Sequence, residues 1–310
     1  MSLDSAAGRR FAVVATDLDG TLLRNDQSVS PRTRAALDRA GAAGARHLVV
    51  TGRPAGGCRE ILRRFGYRGL AVCGQGAQLY DADADRLLAT VPLDRSVVRE
   101  LVGRIAELTG PLELAVVTAG LDGRFLVTAG FAERLRHGWR LAADEAELWA
   151  EPVEKVLVRH PRLTDDRMAR LAERVCAGQV AVTHSGENLV ELLPASVSKA
   201  TGLALAATRL GFDAADTIAF GDMPNDIPMI DWAGYGVAMG NAHPDLRDRA
   251  DEIAPDNERD GVAAVLERLF PPPDPPPGPA PDRPPGLTSN RPTSKESTPC
   301  PSPTASRPER

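Results

Sequence analysis

Cysteine is scarce in this chain, and the few cysteines are widely separated. The 310 residues contain four, with no Cys-X-X-Cys spacing and no pairing with histidine. Such cysteines fit a reduced protein better than a disulfide framework or a zinc site. The sequence therefore predicts a reduced, cytoplasmic protein in which Cys58 and Cys73 are small buried residues rather than nucleophiles.

The chain also lacks long apolar runs and a strong excess of either charge. No stretch approaches the roughly 20 apolar residues that a membrane-spanning helix requires, and residues 1–10 do not resemble a secretory signal. The 37 Lys and Arg residues are interspersed with 42 Asp and Glu residues, for a net charge of −5. We therefore expect neither a nucleic-acid partner nor a membrane partner.

Proline is concentrated at the carboxyl end of the chain. Fifteen of the 26 prolines lie in residues 271–310, among Ser, Thr, Gly and Arg. This composition cannot bury an apolar core, which predicts a disordered or locally polyproline II tail. One interpretation is a bare linker; the other is weak docking of residues 271–273 and 275–277 in an aromatic groove of a partner.

Short apolar, β-prone segments alternate with helical patterns over much of the chain. The segments that we interpret as buried strands of a core are 11–15, 47–50, 70–73 and 217–220. Ser30 followed by Pro31 is a typical helix start between the first two of them. This alternation predicts an α/β fold, with a Rossmann-like parallel sheet covered by helices on both faces.

The alternation is interrupted in the middle of the chain. Residues 81–194 show a loosely repeated helix–strand–strand pattern, which predicts an inserted α+β cap domain with an antiparallel sheet. The predicted organisation is a first core segment at 1–80, this cap, a second core segment at 195–270 and the tail at 271–310. The cap is expected to lie over the functional site of the core.

Two carboxylates follow the first predicted strand. Asp17 and Asp19 stand one residue apart in Asp-Leu-Asp-Gly-Thr, and Gly20 lets the backbone turn sharply. Ligands of open α/β sheets bind at the carboxyl ends of the strands, so both side chains are expected there. Asp17 is the candidate nucleophile for phosphorus, and Asp19 is the candidate general acid and base. The alternative is an Asx turn with a helix cap.

Polar groups also follow the second predicted strand and begin a later helix. The hydroxyl of Thr51 and the backbone amides around Gly52 are candidate ligands of a phosphoryl oxygen, although a local turn is the alternative. Lys199 is a candidate for electrostatic stabilisation of the phosphoryl group and of Asp17. Its alternative interpretation is a solvated surface lysine.

A second acidic motif, Gly-Asp-Met-Pro-Asn-Asp, follows the strand at 217–220. Asp222 is the candidate third ligand of a Mg²⁺ ion, because converging carboxylates repel one another unless a hard cation lies among them. Asp226 and Asn225 are expected to orient that ligand or its waters, and Asn225 is also a candidate phosphate-binding residue. A helix cap is the alternative interpretation of the acidic loop.

Taken together, these motifs resemble the haloacid dehalogenase superfamily, and within it the Cof-type phosphatases with the larger C2 cap (subclass IIB). The resemblance covers about residues 11–270. It implies Mg²⁺ bound by the Asp17 carboxylate, the Asp19 backbone carbonyl and Asp222. It further implies that Asp17 is the nucleophile, Asp19 the acid and base, and Thr51 and Lys199 the phosphate ligands.

One position departs from the resemblance. Such proteins often carry Asn-Gly-Ala after the third strand, where this chain has Gln75 followed by Gly and Ala. Gln75 is therefore not one of the predicted site residues. In the predicted cap, His184, Asn188 and Glu191 either face the site or are structural.

The sequence thus predicts a Mg²⁺-dependent phosphomonoester hydrolase that acts on small phosphorylated metabolites through an aspartyl-phosphate. One alternative is a phosphosugar mutase or another phosphotransferase on the same scaffold. Another is a non-catalytic regulatory protein that binds a phosphorylated ligand. The Asp17 and Asp19 pair argues against the last alternative, because a binding module does not need an acid beside a nucleophile.

Overall fold

The computed structural model describes residues 10–133, 139–184 and 189–272. Asn188 and the predicted tail from residue 273 onward, including most of its proline segments, lie outside the described residues. Within them, no helix combines the length and apolar character needed to cross a membrane.

Fourteen strands and ten α-helices are formed by the described residues. The strands are β1 (Val13–Thr16), β2 (Arg46–Val50), β3 (Leu70–Cys73), β4 (Gln78–Asp81), β5 (Arg86–Thr90), β6 (Glu113–Thr118), β7 (Phe125–Val127), β8 (Arg140–Leu141), β9 (Val153–Arg159), β10 (Val180–His184), β11 (Val190–Pro194), β12 (Thr217–Gly221), β13 (Tyr235–Ala238) and β14 (Glu252–Ile253). The helices are α1 (Pro31–Ala42), α2 (Ala55–Arg64), α3 (Arg95–Thr109), α4 (Ala129–Ala132), α5 (Glu145–Leu148), α6 (Asp165–Cys176), α7 (Lys199–Leu210), α8 (Ile227–Trp232), α9 (Pro244–Arg247) and α10 (Gly261–Leu269).

The larger sheet has the strand order β14-β13-β12-β1-β2-β3-β4-β5. From β14 to β3 all neighbours are parallel, and β4 and β5 extend the edge as an antiparallel hairpin. The chain leaves β1 toward β2 on one side and returns to β12 on the other. The carboxyl end of β1 therefore lies at the topological switch point, where open α/β sheets bind ligands.

Helices cover both faces of this sheet because its strands are apolar on both sides. Helices α1, α2 and α10 pack on one face, where Val14 and Val49 contribute to the core. Helices α7 and α8 pack on the other face, around Leu48 and Leu203. Helix α1 begins as predicted, since the Ser30 hydroxyl accepts a hydrogen bond from the Thr33 amide at 3.0 Å.

The second sheet has the strand order β10-β11-β9-β6-β7-β8, and its neighbours are antiparallel except for the short β7–β8 pair. We refer to this sheet and helices α3–α6 as the cap unit. Its apolar helical face contains Val156 and Leu192, packed against α3 and α6. Alternation along the strands places Lys155 and Glu191 on the opposite face.

The predicted α/β class with a parallel core sheet is confirmed. The strand predicted at 11–15 is displaced by one to two residues, since β1 begins at Val13. The β4–β5 hairpin extends the larger sheet beyond residue 80, where we predicted the first core segment to end. The domain boundaries themselves remain predictions.

Candidate active site

A buried lysine joins two of the predicted carboxylates. Lys199 begins α7 just after the N-cap Ser198, and its side chain is fully buried. Its Nζ donates hydrogen bonds to Asp17 Oδ1 at 2.7 Å and to Asp226 Oδ1 at 2.5 Å. The alternative of a solvated surface lysine therefore does not describe Lys199. A buried ion is tolerated only with such charged partners.

The protonation equilibria of this cluster are shifted by its burial and its charges. Burial raises the pKa of Asp17 to about 7, although the Lys199 charge opposes that rise. Burial alone would lower the pKa of Lys199, but the carboxylates of Asp17 and Asp226 outweigh it and the pKa rises. Burial, followed by the charge of Asp226, raises the pKa of Asp222 to about 8. The carboxylates of Asp17, Asp222 and Asp226 thus lie near a single positive charge, that of Lys199. A bound cation would further stabilise their ionised forms.

Asp222 is held against the first acidic loop. Its Oδ1 accepts a hydrogen bond from Thr21 Oγ1 at 2.8 Å. Gly20 has φ +76°, and a Cβ at that position would lie 2.2 Å from Asp222 Oδ2. Only glycine provides both the left-handed backbone and the space for this approach.

The donor set at this edge fits a magnesium ion. One carboxylate oxygen from each of Asp17, Asp222 and Asp226 lies within 4.8 Å of the others. Both carboxylate oxygens of Asp226 already accept hydrogen bonds. Its Oδ2 accepts from the amides of Asp222 and Met223, both at 3.0 Å, and its Oδ1 accepts from Lys199. Asp17 and Asp222 remain as oxygen ligands, which suit a hard cation.

Asp19 lies at the mouth of the site and is paired with Arg53. The guanidinium donates from Nε and Nη2 to the two Asp19 carboxylate oxygens, each at 2.6 Å. The Asp19 side chain is half exposed. Thr51 is fully buried, and its Oγ1 accepts a hydrogen bond from the Arg53 amide at 3.1 Å. This is the kind of bond expected if Thr51 stabilises a local turn, which was the alternative interpretation of this residue.

A cavity of about 170 Å³ lies between these loops and the cap unit. The core side of its lining includes five of the predicted residues, namely Asp17, Asp19, Thr51, Gly52 and Asn225. The cap side contributes Phe125, Lys155, Leu157, Leu189 and Glu191. Lys199, Asp222 and Asp226 are not among the residues that line this cavity. Glu191 thus faces the site, whereas His184 lines a different cavity.

A chain of hydrogen bonds connects the cap unit to the core at this cavity. Lys155 Nζ donates to the Gly52 carbonyl at 2.8 Å and to Glu191 Oε2 at 2.6 Å. Glu191 Oε1 accepts from Gln75 Nε2 at 3.0 Å, and Gln75 Oε1 accepts from Asn225 Nδ2 at 3.0 Å. Gln75, which is not among the predicted site residues, is therefore a second link between the core and the cap unit, beside the bond from Lys155 to Gly52.

Sequence reasoning also missed Arg53 and Lys155 as contributors to this arrangement. Arg53 is the residue that follows the phosphate-binding candidates Thr51 and Gly52, so its position in the chain was a signal. Lys155 and Glu154 stand together within the apolar residues of β9, and a buried charge in such a strand indicates a site. The partner of Lys155, Glu191, lies on β11, however, and no local sequence pattern indicates that the two residues pair.

Glu154, the neighbour of Lys155, is another buried charge at the junction of the two units. It is 1% exposed, and its Oε2 accepts a hydrogen bond from Gln78 Nε2. Its Oε1 has no hydrogen-bond partner among the described residues. Burial raises the pKa of Glu154 to about 7.

Comparison with known proteins places the chain in one family. A model of haloacid dehalogenase-like hydrolases matches residues 14–266. The chain is 27% identical over 254 residues to 5-amino-6-(5-phospho-D-ribitylamino)uracil phosphatase YcsE of Bacillus subtilis, covering 82% of this chain and 94% of that protein.

Two further matches agree with that family. The chain is 29% identical to pyridoxal phosphate phosphatase YbhA of Escherichia coli, over 82% of this chain and 97% of that protein. The subclass IIB sugar phosphatase BT4131 shares the fold with a TM-score of 0.70 at 18% identity, over 83% of this chain and 98% of that one. The chain therefore belongs to the haloacid dehalogenase-like hydrolases, in their Cof-type branch.

Proposed function

We propose that this protein hydrolyses phosphate monoesters of small metabolites in the cytoplasm, with Mg²⁺ as cofactor and an aspartyl-phosphate on Asp17 as intermediate. The observation that carries the proposal is the buried Asp17 carboxylate, hydrogen-bonded to Lys199 at the topological switch point beside Asp222. The phosphatase names of the curated relatives support the same reaction class.

Asp17 has one oxygen available for attack. Its Oδ1 accepts from Lys199, whereas its Oδ2 has no hydrogen-bond donor among the described residues. In the proposed first step, Oδ2 forms a bond to phosphorus while the bond from phosphorus to the leaving oxygen breaks. Lys199 keeps the attacking carboxylate charged and offsets the negative charge of the phosphoryl oxygens.

Asp19 is the proposed source and acceptor of the proton. It gives a proton to the leaving oxygen, then removes one from the water that attacks phosphorus and releases inorganic phosphate from Asp17. Both Asp19 oxygens now accept from Arg53, so that contact must open before Asp19 carries the proton. Opening is feasible because the Asp19 side chain is half exposed.

The remaining candidates have positioning roles. Thr51, the Gly52 amide and Asn225 line the cavity from the core side and are the proposed ligands of the phosphoryl oxygens, together with Lys199. Asp17, Asp222 and the Asp19 backbone carbonyl would hold Mg²⁺, which when bound offsets the charge of the phosphate and orients it. Asp226 fixes Lys199 and the turn that carries Asp222.

The proposed substrate is small. The cavity between the core loops and the cap unit has a volume of about 170 Å³. Its cap side combines the apolar Phe125, Leu157 and Leu189 with the charged Lys155 and Glu191. Such a lining suits a leaving group with one apolar face and a few hydrogen-bonding groups.

The test is phosphate release from a panel of metabolites, with Mg²⁺ and with EDTA. The panel includes the compounds named for the relatives, pyridoxal phosphate and 5-amino-6-(5-phospho-D-ribitylamino)uracil, together with sugar phosphates. We expect metal-dependent release that Asp17→Asn abolishes. Asp38→Asn is the matched control, since Asp38 is exposed on α1.

Two results would overturn the proposal. Turnover that persists in Asp17→Asn would exclude that residue as the nucleophile. Transfer of the phosphoryl group to a second hydroxyl, with no inorganic phosphate released, would identify a phosphotransferase instead.

A further inference from the structure

A second cluster of metal-ligand side chains lies apart from the proposed active site. Asp166 in the first turn of α6 and His184 at the end of β10 belong to the cap unit. His243 immediately precedes α9 of the core. One ligand atom of each lies within 4.8 Å of the others. The cluster therefore spans the junction between the cap unit and the core.

The distances within the cluster suit a tetrahedral ion. Asp166 Oδ1 and His184 Nε2 are 3.6 Å apart. Zinc bonds to such atoms are about 2.0–2.2 Å long, which places two tetrahedral ligands roughly 3.4 Å apart. The rings of His184 and His243 meet edge to face, with centroids 5.9 Å apart. The other ligand-atom distances are at most 4.8 Å, and Asp166 and His243 are partly exposed, which leaves their side chains room to turn toward a common ion.

His184 supplies an independent indication of a ligand. Its Nε2 is buried and has no hydrogen-bond partner among the described residues. A buried polar atom left without a partner costs about 1–3 kcal/mol. Such an atom in a native structure calls for an explanation, and a bound ion is one of the few. The atom also lies on the side of the ring that faces Asp166.

The second nitrogen of His243 has a carboxylate within reach. His243 Nδ1 accepts a hydrogen bond from the Asp245 amide at 3.2 Å and lies 3.7 Å from Asp245 Oδ2. That bond places the proton of the neutral ring on Nε2, so ligation through Nε2 requires the bond to open and the proton to move to Nδ1, where the Asp245 carboxylate is the nearby acceptor. Carboxylates commonly hold metal-bound imidazoles in this way.

From this geometry we infer a second metal site, specific for a Zn²⁺-like transition metal, in which Asp166, His184 and His243 bind one ion and join the cap unit to the core. Two imidazoles and one carboxylate suit Zn²⁺ rather than Mg²⁺, which prefers oxygen ligands in octahedral geometry. Water completes the fourth position, as in other zinc sites with three protein ligands. The site is independent of the proposed phosphatase mechanism.

The first test measures metal binding by the full-length protein at saturating Mg²⁺. Zn²⁺ is titrated in competition with a chromogenic chelator, and Co²⁺ is added separately to record its visible absorption. We expect one Zn²⁺ per chain in the wild type. Binding should weaken at least about 10–100-fold in His184→Ala and in His243→Ala, since loss of even a supporting group costs that much.

Asp17→Asn is the control for the active-site metal. It removes a proposed Mg²⁺ ligand and should leave Zn²⁺ affinity unchanged. If Zn²⁺ binding is lost in Asp17→Asn and retained in both histidine variants, the ion occupies the acidic edge and the inference is wrong. Absence of Zn²⁺ binding to the wild type would overturn it as well.

A thermal measurement tests the link between the two units and guards against misfolded variants. Bound Zn²⁺ should raise the Tm of the wild type, because a ligand that binds only the folded state stabilises it. His243→Gln is the milder variant, since this side chain is partly exposed. It removes the hydrogen bond from the Asp245 amide to Nδ1, so its Tm is compared with and without Zn²⁺ rather than with that of the wild type, and Zn²⁺ should produce no rise. An equal rise in His243→Gln would contradict the site.

Discussion

The buried Lys199 offers the sharpest test of the electrostatic argument. Its side chain is fully buried, as is that of Asp226, and the Asp17 side chain is 9% exposed. Lys199→Met keeps most of the volume and removes the charge, which leaves two carboxylates without their common partner. Removing one member of a buried ion pair costs about 3–5 kcal/mol. We expect that loss in the free energy of unfolding, measured by urea denaturation in EDTA.

A double-mutant cycle separates the charge from the loss of packing. Asp226→Asn alone leaves Lys199 with a single carboxylate and should also destabilise the protein. The combined Lys199→Met and Asp226→Asn variant should lose less stability than the sum of the two single changes, because one uncompensated charge has been removed. Additive losses, or a Lys199→Met cost below about 1 kcal/mol, would refute the ion-pair reasoning, since an exposed pair contributes no more than that.

Lys199→Met should also change the kinetics, and this prediction rests on the proposed function. Loss of a preorganised charge that faces the transition state typically lowers kcat by about 10²–10³-fold. The kcat of Lys199→Arg, which keeps the positive charge but changes the shape of the side chain, should lie between that of the wild type and that of Lys199→Met. Mg²⁺ should recover part of the stability of Lys199→Met, because the cation enters the carboxylate cluster. Equal stability in Mg²⁺ and EDTA would contradict a metal site at that cluster.

Three further changes test other parts of the site. Gly20→Ala places a Cβ against Asp222 on a left-handed backbone and should raise the Mg²⁺ concentration needed for half-maximal activity; an unchanged requirement would argue against Asp222 as a ligand. Arg53→Met should alter stability by less than about 1 kcal/mol, because its partner Asp19 is half exposed, yet lower the rate of phosphate release in steady-state assays. Burial raises the pKa of Glu154 to about 7 from 4.5, so the folded state binds more protons than the unfolded state between those values and stability falls as pH rises. Glu154→Gln should remove about 2–3 kcal/mol of the wild-type loss between pH 5 and pH 8; identical pH profiles in urea denaturation would refute this.

Local patterns were sufficient for most elements of the fold. Ser30 and Pro31 mark the start of α1 because a capping hydroxyl and a fixed φ act over a few residues. The β4–β5 hairpin was missed although Asp81, at the end of Gln78–Asp81, is a turn-forming residue whose carboxylate accepts from the amides of Asp83 and Ala84. Its place at the edge of the larger sheet depends on backbone pairing with β3, a contact that sequence periodicity does not specify.

The groups at the strand ends could be read from the chain alone, because residue type, the spacing of Asp17 and Asp19, and the apolar segments before them are local properties. Which of those groups share a partner depends on the folded structure. Lys199 lies 182 residues from Asp17 and contacts it directly, and Gln75 links Asn225 to Glu191 across the two units. These contacts form only when the chain folds and brings residues that are distant in sequence into the same buried region. Local sequence patterns do not indicate which of those residues will meet.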